Sequence, residues 1–182
     1  TRLPGKVLKN LMGKPALWHV IQRCSQSKLA DKIVVATSYE TSDNPIYEFC
    51  KKENIEIFRG DLYNVLKRFY DCATHYDFNP IVRITADCPL IDPYLIDETV
   101  ELFKLNKADY LSHCLNRIFP YGLDCEVFSY KALRDAHYNA LSDDEKEHVT
   151  VYMVKNKNVL AYTVEEEYRG NFRLTLDEED DY

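Results

Sequence analysis

The chain has 182 residues, 46% of them hydrophobic and 13% aromatic, with 5 Gly and 7 Pro, which excludes a disordered chain and a disulfide-stapled miniprotein and fits one globular domain. Asp and Glu number 30 against 23 Lys and Arg, a net charge of -7, so attachment to a nucleic-acid polymer through phosphate neutralisation is not expected. Most of the excess lies in one run, Asp177-Glu178-Glu179-Asp180-Asp181, and the rest of the chain is nearly balanced.

T-R-L-P-G-K at Thr1 to Lys6 is a basic turn punctuated by Pro4-Gly5. Pro15 opens a helix whose Leu17, Val20, Ile21 and Cys24 share one face. Ile33-Val34-Val35-Ala36 is wholly apolar, the pattern of a strand covered on both sides, and a second helix starts near Pro45. Ile55 to Phe58 is the next strand, followed by a helix with the stripe Leu62, Val65, Leu66, Phe69, Tyr70 and Ala73. Ile81 to Ile84 is a strand, Pro93 begins a helix that turns Leu95, Ile96, Leu102 and Phe103 inward, and Tyr110-Leu111 is a further strand. Strand and helix in strict alternation predict a three-layer, Rossmann-like α/β fold, a mostly parallel sheet with helices on both faces.

Beyond residue 113 the rhythm changes. Phe119 to Gly122 is a turn, and Leu123 to Phe128 alternates apolar and acidic residues as an exposed strand does. Ser129 caps a helix through Ala140, and Ser142 with Glu145 forms a capping box that starts a helix to Asn156. Val159 to Val164 and Phe172 to Leu176 are two closing strands. No linker divides the chain. The six cysteines stand apart with no C-x-x-C pair, as reduced thiols of a cytoplasmic protein rather than a zinc site. No apolar run approaches the ~18 residues of a membrane span, so no membrane association is expected.

Ligands of a parallel sheet sit beyond the carboxyl ends of its strands, which selects Thr37-Ser38, Gly60-Asp61 and Ala86-Asp87-Cys88-Pro89. Asp87 either holds a divalent metal at that crevice or caps the following helix. Arg2 and Lys6 flank Pro4-Gly5 and either cradle a polyphosphate or are simply solvated. Asp177 alone in the acidic run has strand-end geometry and either completes a metal site or faces solvent. Asp124 and Glu126 fall on one face of their strand, the pattern of a hydroxyl-rich or cationic ligand site or of a solvated face. Glu147-His148 lies just inside a capped helix, and the other histidines have no ligand-like spacing. Arg83, Arg117 and Arg134 are each able to bind a carboxylate, and the sequence does not rank them.

Seven segments in register resemble one family: T-R-L-P-G-K at Thr1 to Lys6, I-V-V-A-T at Ile33 to Thr37, F-R-G-D at Phe58 to Asp61, V-R-I-T-A-D-C-P-L-I-D-P at Val82 to Pro93, G-L-D-C-E-V-F at Gly122 to Phe128, E-H-V-T at Glu147 to Thr150, and R-L-T-L-D-E-E-D-D-Y at Arg173 to Tyr182. It is the cytidylyltransferase family of acidic-sugar activation, in the branch of spore coat polysaccharide biosynthesis proteins, related to the enzymes that make CMP-sialic acid and CMP-Kdo. The resemblance implies a nucleotidyltransferase that binds CTP and Mg²⁺, with Mn²⁺ as a substitute, and transfers CMP to an acidic sugar with release of pyrophosphate. Carried over, Arg2 and Lys6 grip the triphosphate beside Thr37, Lys6 and Asp87 are catalytic, and Asp87 and Asp177 bind the metal. Arg83, Asp124, Glu126 and His148 fall in segments that line the sugar pocket of similar enzymes. A homodimer is implied too, with residues 113–150 at its interface.

Similar chains begin with an apolar strand and loop, I-I-x-A-R-x-x-S, ahead of T-R-L-P-G-K, and continue past D-E-x-D-Y with a helix. Residues 1–182 are therefore expected to form a single domain lacking its first strand and its C-terminal helix. Ala86 stands where many relatives have Gly. Two other readings compete: a glycosyltransferase of the related A-type fold, disfavoured because Asp87 is followed by Cys88-Pro89 rather than completing a D-x-D, and a non-catalytic nucleotide-binding subunit.

Overall fold

Gly5, at φ 70°, turns the chain into a short 3-10 turn at Lys6–Leu8. A hairpin follows, β1 (Asn10–Leu11) antiparallel to β2 (Lys14–Pro15), with Met12 and Gly13 both at positive φ as a two-residue hairpin turn requires. The fold is that of a computed structural model, which describes residues 3, 5–162 and 173–182.

Helix α1 (Ala16–Cys24) buries Leu17, Val20 and Ile21, the face its spacing predicts. Strand β3 (Val35–Ser38), helix α2 (Asn44–Lys52) and strand β4 (Ile57–Gly60) form a unit in which β3 and β4 pair in parallel, Val35 opposite Ile57 and Ser38 opposite Gly60. Both strands lie about one turn of pleat later than the apolar runs at Ile33 and Ile55 suggest. Leu17, Ile21 and Cys50 pack against Val35 and Ile57 and make the core of this unit.

Helix α3 (Val65–Tyr76) leads to β5 (Ile81–Arg83), and α4 (Pro93–Asn106) to β6 (Tyr110–Ser112). Then come β7 (Glu126–Phe128), α5 (Tyr130–Asn139), α6 (Asp143–Glu147), α7 (Val151–Asn156) and β8 (Val159–Ala161). These strands form a second sheet in the order β5-β7-β6-β8, with β8 parallel to β6 and β7 antiparallel to both of its neighbours. Pairing is thus mixed within the three-layer α/β architecture. Side chains alternate across it: Val127 and Leu111 face Ile96, Val100 and Phe103 of α4, whereas Phe128 and Tyr110 face Leu66 of α3 and Leu133 of α5.

Three expectations need correction. Strand β7 is buried along its whole length, including Glu126 at 7% exposure, so Leu123 to Phe128 is not an exposed strand. The helix that begins at the Ser142–Glu145 capping box stops at Glu147, because Val149 adopts φ 53° and fills the α3–α5 core with its side chain, and α7 starts afresh at Val151. Of the closing strands, Val159–Ala161 is present. Residues 163, 164 and 172 lie outside the described residues, and Arg173 makes one bridge to Tyr121 without a strand through Leu176.

Between β3 and β5 lies a cleft of about 670 Å³, lined by Val35, Ala36, Phe69, Val82, Arg83 and Val100 among others. Arg68 and Arg83 also reach this cleft, and the Nε of each is buried without a partner. No helix among the described residues is long and apolar enough to cross a membrane.

Candidate active site

Three distant segments meet at Lys6. Its Nζ donates to Asp87 Oδ2 at 2.7 Å and to Asp177 Oδ1 at 3.0 Å. Asp87 sits in the loop after β5, which is folded tightly by Cys88 N–H bonding to Thr85 O and Ile91 N–H to Cys88 O. It is not the cap of α4. Asp92 takes that role, accepting from the Tyr94 N–H, so Asp87 stands free of helix capping at the carboxyl end of its strand.

Asp177 is delivered by a stitched segment. Leu174 N–H bonds to Tyr121 O at 2.6 Å, and Leu176 N–H bonds to Asp87 O at 2.8 Å, which places residue 177 beside Asp87. Gly122, at φ 102°, lets the two backbones touch: a Cβ there would lie 2.5 Å from the Leu174 carbonyl carbon. The chain then turns through Asp181, whose Oδ2 accepts from the Asp177 and Glu178 N–H groups, both at 2.8 Å, and from Arg173 at 2.9 Å. Lys9 pairs with Glu179 at 2.9 Å and lies over the Tyr182 ring, tying the end of the chain to its beginning.

Charge state follows from this packing. Burial, the largest influence on Lys6, works against its charge, but hydrogen bonds and attraction from Asp87 and Asp177 win and hold the ammonium above its ordinary value. Burial likewise works against the Asp87 carboxylate, and the Lys6 ammonium and Thr85 hydroxyl hold it below the usual range. Both groups are charged at neutral pH.

The other expected site residues that the structure describes do not join this cluster. Arg2 lies outside the described residues. Thr37 is buried, its hydroxyl donating to Asp43 Oδ2 at 2.8 Å, and so serves the turn after β3 in this structure. Arg83 and Glu126 pair with each other, and Glu126 also accepts from Tyr110 at 2.7 Å and Thr150 at 2.8 Å. Asp124 lies before β7 rather than on a shared strand face with Glu126, and pairs with Arg117 at 2.8 Å. The Arg117 guanidinium stacks 3.7 Å over the Tyr121 ring, beside the segment that carries Asp177. His148 is exposed at the end of α6, 3.7 Å from Asp144. Arg173 and Asp181, which shape the turn at Asp177, were not singled out by position, because nothing in an acidic run marks which carboxylate folds back on the backbone.

Residues 1–176 match the family model for cytidylyltransferases. The chain belongs to the cytidylyltransferase family. It is 35% identical to the spore coat polysaccharide biosynthesis protein SpsF of Bacillus subtilis, over the whole of this chain and 78% of that protein. A solved cytidylyltransferase from Leptospira borgpetersenii superposes with a TM-score of 0.93 at 33% identity, over the whole of this chain and 78% of the other. A CMP:2-keto-3-deoxy-manno-octonic acid synthetase complexed with CTP shares the fold at a TM-score of 0.66 and 13% identity, over 90% and 85% of the two chains.

In this cytidylyltransferase the donor set around Lys6 suits a hard cation. Two carboxylates already turn an oxygen each toward one positive centre, the Lys6 ammonium, and Asp177 Oδ2 also lies 3.5 Å from Arg173. That fits an ion such as Mg²⁺, which takes one or two carboxylates and completes its shell with phosphate oxygens and water.

Proposed function

We propose that this cytidylyltransferase transfers CMP from CTP to an acidic sugar, with release of pyrophosphate, in the synthesis of a cell-surface or spore-coat polysaccharide. The observation that carries the reading is the meeting of Lys6, Asp87 and Asp177 at the carboxyl end of β5. The likeness to SpsF supports the pathway, and the CTP bound in the structurally similar synthetase supports the nucleotide.

A sugar hydroxyl gives up its proton to water as its oxygen forms a bond to the α-phosphorus of CTP, the bond from that phosphorus to the bridging oxygen breaks, and pyrophosphate departs with the electron pair. Positioning and charge neutralisation are what the protein contributes. Asp87 and Asp177 would hold Mg²⁺, with Mn²⁺ as a substitute; when bound, it withdraws charge from the α-phosphate and the leaving group. Lys6, joined by Arg2, neutralises the charge that builds on pyrophosphate. Arg117, 3.7 Å over the Tyr121 ring and paired with Asp124, offers a planar fork for a sugar carboxylate. The cleft between β3 and β5 is proposed to take the apolar strand that similar chains carry. Action in the cytoplasm as a homodimer is part of the same proposal, and sedimentation of the intact protein as a monomer would remove the dimer.

A pyrophosphate-release screen that crosses the four nucleoside triphosphates with several acidic sugars, in Mg²⁺ or Mn²⁺, tests the reading. Release with CTP and one acidic sugar supports it. Silence across the grid contradicts it and favours a non-catalytic nucleotide-binding role.

A further inference from the structure

Lys6 occupies the position that a shared cation would take. Its ammonium stands 2.7 Å and 3.0 Å from one oxygen of each carboxylate, with its side chain only 15% exposed. An ion bound to those same two oxygens at about 2.0–2.1 Å would lie in direct contact with the ammonium. Two cations in one partly buried site repel, and the ammonium cannot simply leave, because removing its partners strands a buried charge. It needs another anion to move to. Lysine suits such a transfer: a compact charge with three donors on a flexible four-carbon stem. The 3-10 turn that carries it follows the left-handed Gly5, at the same end of the chain as the basic Thr1 to Lys6 segment.

We propose that Lys6 is a resident counter-cation of the Asp87–Asp177 pair, beside Arg173 at 3.5 Å from Asp177, and is exchanged for a divalent ion only when a triphosphate arrives to receive its ammonium. The proposal rests on the reading of Asp87 and Asp177 as a metal pair. It makes divalent-ion binding weak in the nucleotide-free protein and couples it to nucleotide by the same factor in both directions. The enzyme thereby avoids a tightly held ion before its substrate is in place.

The test is Mn²⁺ binding to the nucleotide-free, full-length protein, followed by the electron paramagnetic resonance signal of free Mn²⁺. Lys6→Met is expected to bind Mn²⁺ at least tenfold more tightly than the wild type, and Lys6→Arg, which keeps the charge, as weakly as the wild type. Adding Asp87→Asn to Lys6→Met abolishes the gain. Equal Mn²⁺ affinity in the wild type and Lys6→Met, with Asp87→Asn weakening both, overturns the exchange while leaving the metal pair intact. Mn²⁺ binding that ignores Asp87 in every variant overturns the metal pair itself, and the exchange with it. Far-UV circular dichroism confirms folding, and Lys6→Gln carries the same expectation should the Met variant unfold.

Discussion

Asp43 binds the end of β3 in place. Its Oδ2 accepts from Thr37 Oγ1, Ser38 Oγ and the Ser38 N–H, and Arg68 adds its charge nearby. Burial, the largest influence, would raise its pKa, but these donors together bring it below the ordinary carboxylate value. A folded-state pKa below the unfolded one contributes stability that is fully present above the unfolded value and is lost as pH falls through the folded one. Asp43→Ala is therefore expected to lower unfolding free energy by about 1.5–3 kcal/mol at neutral pH, as loss of hydrogen bonds to a charged group does. In urea titrations across pH, that deficit should stay constant down to about pH 5 and narrow below about pH 4; a deficit unchanged at pH 3 would contradict the assignment. The same residue explains why Thr37 was readable as a strand-end hydroxyl but not as an occupied one: position in a parallel unit is local information, whereas its partner lies in the next turn. Lys6, Asp87 and Asp177 were legible as separate candidates. Their contact, across most of the chain length, was not.

At the scale of elements, the segment from Arg173 to Asp177 is placed by backbone rather than by side chains. Gly122 is the residue that permits it. Gly122→Ala forces a Cβ into the Leu174 carbonyl carbon and strains a residue at φ 102°, so residue 177 must shift away from Lys6. A displacement of about 1 Å at a reacting site costs up to about 10²-fold in rate, and CMP transfer by Gly122→Ala should fall by about that factor while far-UV circular dichroism is unchanged. Turnover within twofold of the wild type would show that Asp177 does not need this placement. Gly60 is tight in a different place: a Cβ there would lie 2.8 Å from Arg68 Cγ and 3.1 Å from Arg68 Cβ, at the root of that side chain on α3, so the strain would fall on helix packing rather than on Asp177. Helix caps at Ser129 and at Ser142 with Glu145 were readable because they are local signals, and each accepts the expected backbone N–H, whereas the cap of α4 is Asp92 and not the Asp87 weighed for that role. Burial of β7 was not readable. Leu-Asp-Cys-Glu-Val-Phe has the alternation of a half-solvated strand, and only Arg83, Tyr110 and Thr150, all distant in sequence, make a buried Glu126 tolerable.

For the whole molecule, the alternation of strand and helix was enough to predict three layers, while the antiparallel course of β7 and the division of the strands into separate sheets were not. The cleft marks that division. Val35 N–H bonds to Glu56 O and Tyr39 N–H to Gly60 O, so the period of two turns the Ala36 N–H to the opposite edge of β3, toward the cleft. In hydrogen exchange, the Ala36 amide should exchange faster than those of Val35 and Thr37. Protection of Ala36 in the present chain would contradict an open edge. Fold, cleft and charge converge on one chemical centre, where a protein of net charge -7 keeps a lysine between two carboxylates and is proposed to receive a triphosphate. The direct measurement is the rate of CTP-dependent pyrophosphate release by the wild type and Asp87→Asn side by side, with the sugar found in the screen. The account predicts a loss of about 10²–10³-fold in the variant, as for removal of one preorganised electrostatic group; equal rates would contradict it.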